Sequence, residues 1–299
     1  MKVLRRYRTI QWLGIRLLGG WWLLASAPIL LALPQHDAVP GGVAVIALGE
    51  ITTPPPELHF QQRRVLVEAE EQQWFAVVGL GLETEVGRAE LEQVGGETIP
   101  FTVAPKQYLE QHITLSDKRK VTPYQRDMDR IYREQRMSRD AFRNWRPLEG
   151  VNSDFILPVS GIMSSPFGKR RFFNGQPRRP HSGIDIAAPQ GTLVMTPGDG
   201  VVTQLGEFFF NGNTIFIDHG QGLVSMVCHL DTINVALGQK ITQGEVIATV
   251  GMTGRVTGPH LHWSVSLNGE RVNPLLFLNA EAVALLQGER VADNSKGME

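Results

Sequence analysis

Cysteine is nearly absent from the 299-residue chain, where Cys228 stands alone. A single thiol excludes an intrachain disulfide framework and any multi-cysteine zinc module. Net charge is equally scarce, -1 at pH 7, and it is unevenly spread. Five of the 29 Lys and Arg (Lys2, Arg5, Arg6, Arg8, Arg16) lie in the first sixteen residues, which hold no acid, so the rest of the chain is acidic. That balance excludes the broad basic surface of a general nucleic-acid binder. There is no internal repeat, which excludes a solenoid. There is also no His-Glu-x-x-His, so the helical zinc signature with its glutamate base is missing.

Long apolar runs are missing too, with one exception. The basic start is followed by Leu17–Leu33, 17 residues without a charge. A positive stretch followed by an apolar one at the extreme N-terminus is the pattern of an export signal. Ala25-Ser26-Ala27 is a small-residue cleavage site, but Pro28 follows it. Residues 1–33 are therefore expected to be either a signal peptide or a retained inner-membrane anchor through residues 17–33. Either one places the chain outside the cytoplasm, in the periplasm or cell envelope.

The chain is rich in turn formers, with 31 Gly and 18 Pro, and beyond residue 33 it reads as mainly β. Short strand candidates at Gly42–Leu48, Arg64–Glu70, Trp74–Leu82, Thr98–Val103 and His112–Leu115 suggest a small N-terminal β-sandwich over 40–117. Its stretch Glu50–Glu97 holds ten acids against three arginines. A connecting helix is expected over 122–146, within a linker spanning 118–152. Thr122 would cap it and Pro123 would fit its first turn. From 153 to 280 the candidates are Gly161–Ser164, Ile184–Ala187, Thr192–Thr196, Gly200–Leu205, Thr214–Asp218, Leu223–His229, Glu245–Val250 and His260–Leu267. Glycines fall between or beside many of them, which implies an antiparallel C-terminal β domain rather than alternating βαβ units. Asn279–Gln287 reads as a short terminal helix, and 281–299 holds its end and a tail.

The chemistry concentrates in a few side chains. His181-Ser-Gly-Ile-Asp185 separates an imidazole from a carboxylate by four residues, with Pro180, Gly183 and β-branched Ile184 and Ile186 favouring extended backbone. His260-Leu-His262 places two imidazoles on one face of a strand, because side chains alternate with period 2. Two histidines and one carboxylate form a ligand set for a zinc that keeps an open position. Spacing alone does not separate His260 from His262 as the ligand. His229 ends an apolar strand and is a further candidate. His219, beside Gly220 in a hairpin turn, reads as structural.

These residues sit in a longer pattern: Ser164-Ser-Pro-Phe-Gly168, His181-Ser-Gly-Ile-Asp-Ile-Ala-Ala-Pro189, Gly198-Asp-Gly-Val-Val202, Asn213-Thr-Ile-Phe-Ile-Asp-His-Gly220, Cys228-His-Leu230, Gly251-Met-Thr-Gly254, Thr257-Gly-Pro-His-Leu-His-Trp263 and Asn273-Pro274. Over roughly 155–278 the chain resembles the lysostaphin-type zinc metallopeptidases, the LytM-domain peptidoglycan hydrolases. The resemblance implies one Zn²⁺ per chain held by His181, Asp185 and His262, with His229 and His260 lining the site as catalytic histidines. It also implies peptidoglycan as substrate. Two departures stand out: Val227 replaces the family's usual tyrosine, and Ser264 replaces a frequent glutamate.

Without a glutamate base, His229 or His260 must take the proton or stabilise the oxyanion. The groove is expected to be walled by loops, the first of them Phe167–Pro180 with Lys169, Arg170, Arg171, Arg178 and Arg179. Arg170 and Asn213 are candidate substrate contacts. The acidic front domain would complement that basic wall and could restrain activity. Only residues 281–299 follow the catalytic domain, so a separate wall-targeting domain is not expected behind it. The chain therefore looks more like Gram-negative envelope members, whose cross-links run from D-Ala to diaminopimelate. The competing readings are a non-catalytic peptidoglycan-binding regulator on the same fold and a mononuclear iron oxygenase.

Overall fold

The computed structural model describes residues 33–51, 54–116 and 118–288. The export segment lies outside the described residues except for its last position, Leu33. Among the described residues no helix is long and apolar enough to cross a membrane.

The first strands are β1 (Val43–Glu50), β2 (Leu58–Phe60), β3 (Arg63–Arg64), β4 (Leu66–Glu70), β5 (Gln73–Gly79), β6 (Gly87–Gln93), β7 (Ile99–Val103) and β8 (Glu110–Ile113). They build one sheet in the order β1-β5-β4 and another in the order β3-β2-β6-β7. The two sheets share a core of Ala44, Leu58, Phe60, Val67, Ala76, Val78, Leu91 and Val103. Strand β6, Gly-Arg-Ala-Glu-Leu-Glu-Gln, buries only Leu91. Its polar composition hides it from a search for apolar runs.

Two helices come next, α1 (Lys118–Val121) and α2 (Gln125–Phe142). The longer one starts after Tyr124 rather than at Thr122. Asp127 in its first turn accepts from the Tyr124 backbone N–H at 3.3 Å, so the cap is a carboxylate three residues inside the helix. The buried stripe of α2 includes Ile131, Ala141 and Phe142, and Phe142 meets Phe216 edge-on at 5.1 Å.

The C-terminal part contains β9 (Ile162–Ser165), β10 (Arg170–Phe173), β11 (Gln176–Pro177), β12 (Ile184–Ala187), β13 (Leu193–Met195), β14 (Gly200–Phe208), β15 (Gly212–Gly220), β16 (Leu223–Ile233), β17 (Lys240–Ile241), β18 (Val246–Val250), β19 (His260–Leu267) and β20 (Glu270–Val272). After them come a 3₁₀ turn at Pro274–Phe277 and α3 (Ala280–Gln287), capped by the Asn279 side chain. The main sheet runs β17-β14-β15-β16-β19-β12-β9, and its pairs are antiparallel. Its core includes Ile184, Ile186, Val227, Leu230, Leu261, Trp263 and Val265, all fully buried.

Specific contacts join the two parts. Asn268 turns the β19–β20 hairpin at φ 41°. Its carboxamide accepts from the Gly79 N–H at 2.7 Å and donates to the Gly79 carbonyl at 3.0 Å. A Cβ at Gly79 would lie 2.7 Å from Leu267, so only glycine admits this approach. The stretch expected as the first groove loop is instead a hairpin of β10 and β11, and β8 pairs with it in parallel. Arg170 forms an ion pair with Glu110 on β8 at 3.2 Å. Among the described residues no ion pair joins Glu50–Glu97 to Lys169–Arg179. The wall's acidic partner comes from the strand after the front domain's last sheet.

Candidate metal and catalytic centre

Strand pairing creates the site. Asp185 on β12 stands directly opposite His262 on β19, and Ala187 stands opposite His260. Alternation sends Leu261 and Trp263 into the core and turns His260 and His262 to the other face. His181 arrives from the turn before β12, held by its N–H on the Lys169 carbonyl at 2.8 Å. The fourth histidine reaches the site through a bulge. Register in the β15–β16 pair passes from Asn213↔Leu230 to Thr214↔Cys228, leaving His229 as the extra residue. Its φ of 65° is in the left-handed region, an uncommon conformation that re-aims the side chain.

Three ligand atoms converge. His181 Nε2 lies 2.9 Å from Asp185 Oδ1 and 3.0 Å from His262 Nδ1, and His262 Nδ1 lies 2.8 Å from Asp185 Oδ1. All three residues are buried. The outer atoms assign the tautomers. His181 Nδ1–H donates to the Pro166 carbonyl at 2.9 Å. Ser264 Oγ donates to the Ser182 carbonyl at 2.8 Å, so it accepts from His262 Nε2–H at 2.9 Å. Each imidazole therefore turns a lone pair inward, towards a carboxylate oxygen. Burial pushes the His262 pKa down to about 4, which keeps its neutral, ligating form at neutral pH. Three acceptors facing one another without a donor suit a cation. In tetrahedral zinc sites with bonds of about 2.0–2.1 Å, ligand atoms stand about 3.3 Å apart, close to the spacing here. The donor set fits the metal.

His229 and His260 stand beside this cluster, their rings 4.9 Å apart. His229 Nδ1 is engaged by the Thr253 carbonyl and His260 Nδ1 by the Gly258 carbonyl, each at 2.9 Å. The Nε2 atom is left free in both. That of His260 lies 3.9 Å from Asp185 Oδ1. Burial, followed by the neighbouring His260 and His262, lowers the His229 pKa to about 3. It stays an unprotonated acceptor across the neutral range.

The two expected substrate contacts have partners of their own in the structure. Asn213 donates to the carbonyls of Leu230 and Asp231, both at 3.1 Å, so its amide fastens the bulge that carries His229. Arg170 faces Glu110. The next residue, Arg171, reaches the centre, donating to Asp185 Oδ2 at 2.8 Å. The period of two on β10 decides between them, a signal that is usable only when the segment is a strand. His219, as expected of a structural residue, is buried between the Asp199 carbonyl and Ser225 Oγ.

Residues 179–274 match Peptidase family M23, and residues 36–106 match the Peptidase family M23 N-terminal domain. A Pseudomonas aeruginosa crystal structure described as a peptidase M23 superposes with TM-score 0.68 at 42% identity, covering 83% of this chain and 96% of that one. The DD-carboxypeptidase/endopeptidase Mpg of Neisseria meningitidis is 46% identical over 113 residues, 38% of this chain and 26% of that protein. The peptidoglycan DD-endopeptidase ShyA of Vibrio cholerae is 43% identical over 114 residues, with the same two coverages. This chain thus spans about a quarter of the length of the curated relatives it matches.

Proposed function

The chain belongs to peptidase family M23, and from that premise we propose that it is a zinc-dependent endopeptidase cutting peptide cross-links of bacterial peptidoglycan. The observation that carries this reading is the converging trio of His181 Nε2, Asp185 Oδ1 and His262 Nδ1, each backed by an outer partner. These three residues would hold one zinc. When bound, it supplies a Lewis acid that polarises the scissile carbonyl and lowers the pKa of water towards about 7. The remaining work falls to this chain's own groups. His229 and His260 present free Nε2 atoms on the same side of the sheet. One takes the proton from the attacking water and the other steadies the developing oxyanion or the leaving amine. Arg171 keeps the outer oxygen of Asp185 engaged, so that only Oδ1 faces the histidines.

The relatives named DD-endopeptidases favour the direct D-Ala to diaminopimelate bond as the one cut. Peptidoglycan lies outside the cytoplasm, which agrees with the export signal or inner-membrane anchor expected in residues 1–33. The complete ligand trio does not favour the non-catalytic regulator.

The test is incubation with purified peptidoglycan, with and without a zinc chelator, and identification of the fragments by mass. Chelator-sensitive conversion of dimeric muropeptide to monomer, with glycan strands intact, is the expected result. Cleavage of a pentaglycine peptide but not of the dimer would overturn the bond assignment. No cleavage of either by the zinc-loaded protein would overturn the endopeptidase reading.

A further inference from the structure

A second concave site lies beside the catalytic groove. A cavity of about 550 Å³ is enclosed by one face of α2, the β19–β20 hairpin, the front domain near Arg63 and Leu82, and the wall segments 179–182 and 210–211. Its volume is in the range of small-ligand sites. Two of its lining residues adjoin the catalytic centre: Ser182 follows His181 in the chain, and the carbonyl of Asn211 holds the His229 N–H at 2.9 Å.

Its charge is unbalanced. Two of its carboxylates are occupied: Glu270 pairs with Arg63 at 2.8 Å, and Glu134 takes Arg130 at 2.5 Å and the Phe209 N–H at 2.7 Å. Four guanidiniums remain, those of Arg139, Arg143, Arg179 and Arg271, against the single carboxylate of Glu83. None of the four forms an ion pair among the described residues. Arg139 in the last turn of α2 and Arg143, which caps it, are four residues apart, where like charges repel. Arg271 is mostly buried, packs its guanidinium over the Phe142 ring at 5.3 Å, and has an Nε atom without a partner. Burial presses its pKa down, the Glu270 carboxylate opposes that, and the neighbouring Arg179 reinforces it. Like charges clustered around one partly desolvated guanidinium, that of Arg271, are costly, and an incoming anion relieves that cost.

We propose that this cavity is an anion subsite that binds the carboxylates of a peptide passing through the catalytic groove. The inference rests on the endopeptidase reading, under which the substrate's stem peptides carry free carboxylates. Guanidinium forks match a carboxylate in bidentate fashion. Ile131, Phe142, Phe208 and Phe210 give the cavity an apolar lining for the aliphatic part of the peptide. The site thereby favours acidic over amidated stem peptides and sets the substrate's direction across the zinc ligands.

The test is calorimetric titration of the zinc-loaded protein with three probes: the tripeptide L-Ala-γ-D-Glu-diaminopimelate, its fully amidated counterpart, and inorganic phosphate. The acidic peptide should bind at least ten times more tightly than the amide. Arg139→Gln combined with Arg143→Gln, both at exposed positions, should erase most of that ratio, as should Arg271→Gln. On peptidoglycan the double variant should lose about tenfold in kcat/KM, with the change in KM. Equal affinity for the acidic and amidated peptides, or an unchanged ratio in the double variant, would overturn the subsite. Phosphate binding as tightly as the acidic peptide would reduce it to a general anion site and overturn the peptide assignment. If the wild-type protein fails to cleave peptidoglycan, the endopeptidase reading falls, and the calorimetry still decides whether the cavity selects carboxylates.

Discussion

Replacing Ser264 with alanine tests what fixes the ligand set. Its Oγ accepts from His262 Nε2–H at 2.9 Å, a buried bond, and donates to the carbonyl of half-buried Ser182 at 2.8 Å. Deleting that oxygen orphans one donor and one acceptor. A buried orphan costs about 1–3 kcal/mol, so the metal-free protein should lose about that much for the His262 donor, and less for the half-buried Ser182 carbonyl. Water has little room on the Gly183 side, where even a Cβ would lie 2.4 Å from the Trp263 carbonyl and 2.7 Å from His262 Nε2. Freed from Ser264, the His262 ring also loses the bond that keeps its Nδ1 lone pair facing Asp185. Loss of such an outer partner weakens metal affinity by about 10–100-fold, which is about 1.4–2.7 kcal/mol. Ser266 supplies the control. It lies two residues further along β19, is fully buried, and its Oγ has no partner. Ser266→Ala should therefore be neutral or slightly stabilising. The assays are zinc competition against a chromogenic chelator, and thermal melting with and without zinc. Zinc affinity in Ser264→Ala within twofold of wild type would refute the tautomer argument and leave Ser264 as packing alone.

Asp185→Ala and His262→Ala should each strongly weaken zinc binding and abolish hydrolysis, measured by metal analysis and muropeptide release. Full activity in either would remove the ligand assignment. His229→Ala and His260→Ala should keep the metal and lose about 10²–10⁴ in rate. An empty site in His260→Ala, with zinc retained in His262→Ala, would reverse the assignment. Glu68 predicts a stability slope. Burial raises its pKa from 4.5 to about 8, opposed by the Ser153 hydroxyl and aided by Glu70. Because the folded value lies above the unfolded one, its contribution is complete below about pH 4.5 and is lost as pH rises through about 8. Over that window stability should fall by about 1.4 kcal/mol per pH unit, and Glu68→Gln should flatten the slope in melting scans. An unchanged slope in that variant would show that Glu68 is not its source.

How much of the fold and site the sequence discloses depends on the range of the interactions involved. Strands β12 and β19 are readable to the residue, because β-branched and aromatic positions alternate with polar ones and flanking prolines and glycines mark their ends. The same alternation places His260 and His262 on one face. It does not say which of them stands opposite Asp185, since strand register is a non-local property. That choice comes from the resemblance. Strands β6 and β10 escape for the opposite reason: Arg-Ala-Glu-Leu-Glu and Arg-Arg-Phe-Phe carry no long apolar run, and β10 is ordered by pairing with β8, whose last residue precedes its first by 57 positions. The choice of Arg170 over Arg171 follows from that omission. On a loop any arginine can reach substrate, but on a strand only one side faces Asp185.

The bulge at His229 is equally hidden. An apolar strand ending in histidine looks continuous, and only the extra residue opposite Asn213 and Thr214 turns the imidazole into the site. Asn213 then has a physical role distinct from the expected one. By taking the Leu230 and Asp231 carbonyls it holds open the irregularity that regular pairing would close. Backbone carbonyls do comparable work at three of the histidines. Pro166, Thr253 and Gly258 each engage an Nδ1 and so turn the corresponding Nε2 lone pair towards the site, whereas His262 is turned the other way by a side chain. The position where the chain departs from the family's glutamate, Ser264, is thus the one where the tautomer depends on a hydroxyl. A hydroxyl gives that bond no formal charge, so the basicity of His262 rests on burial and on Asp185 rather than on an outer carboxylate.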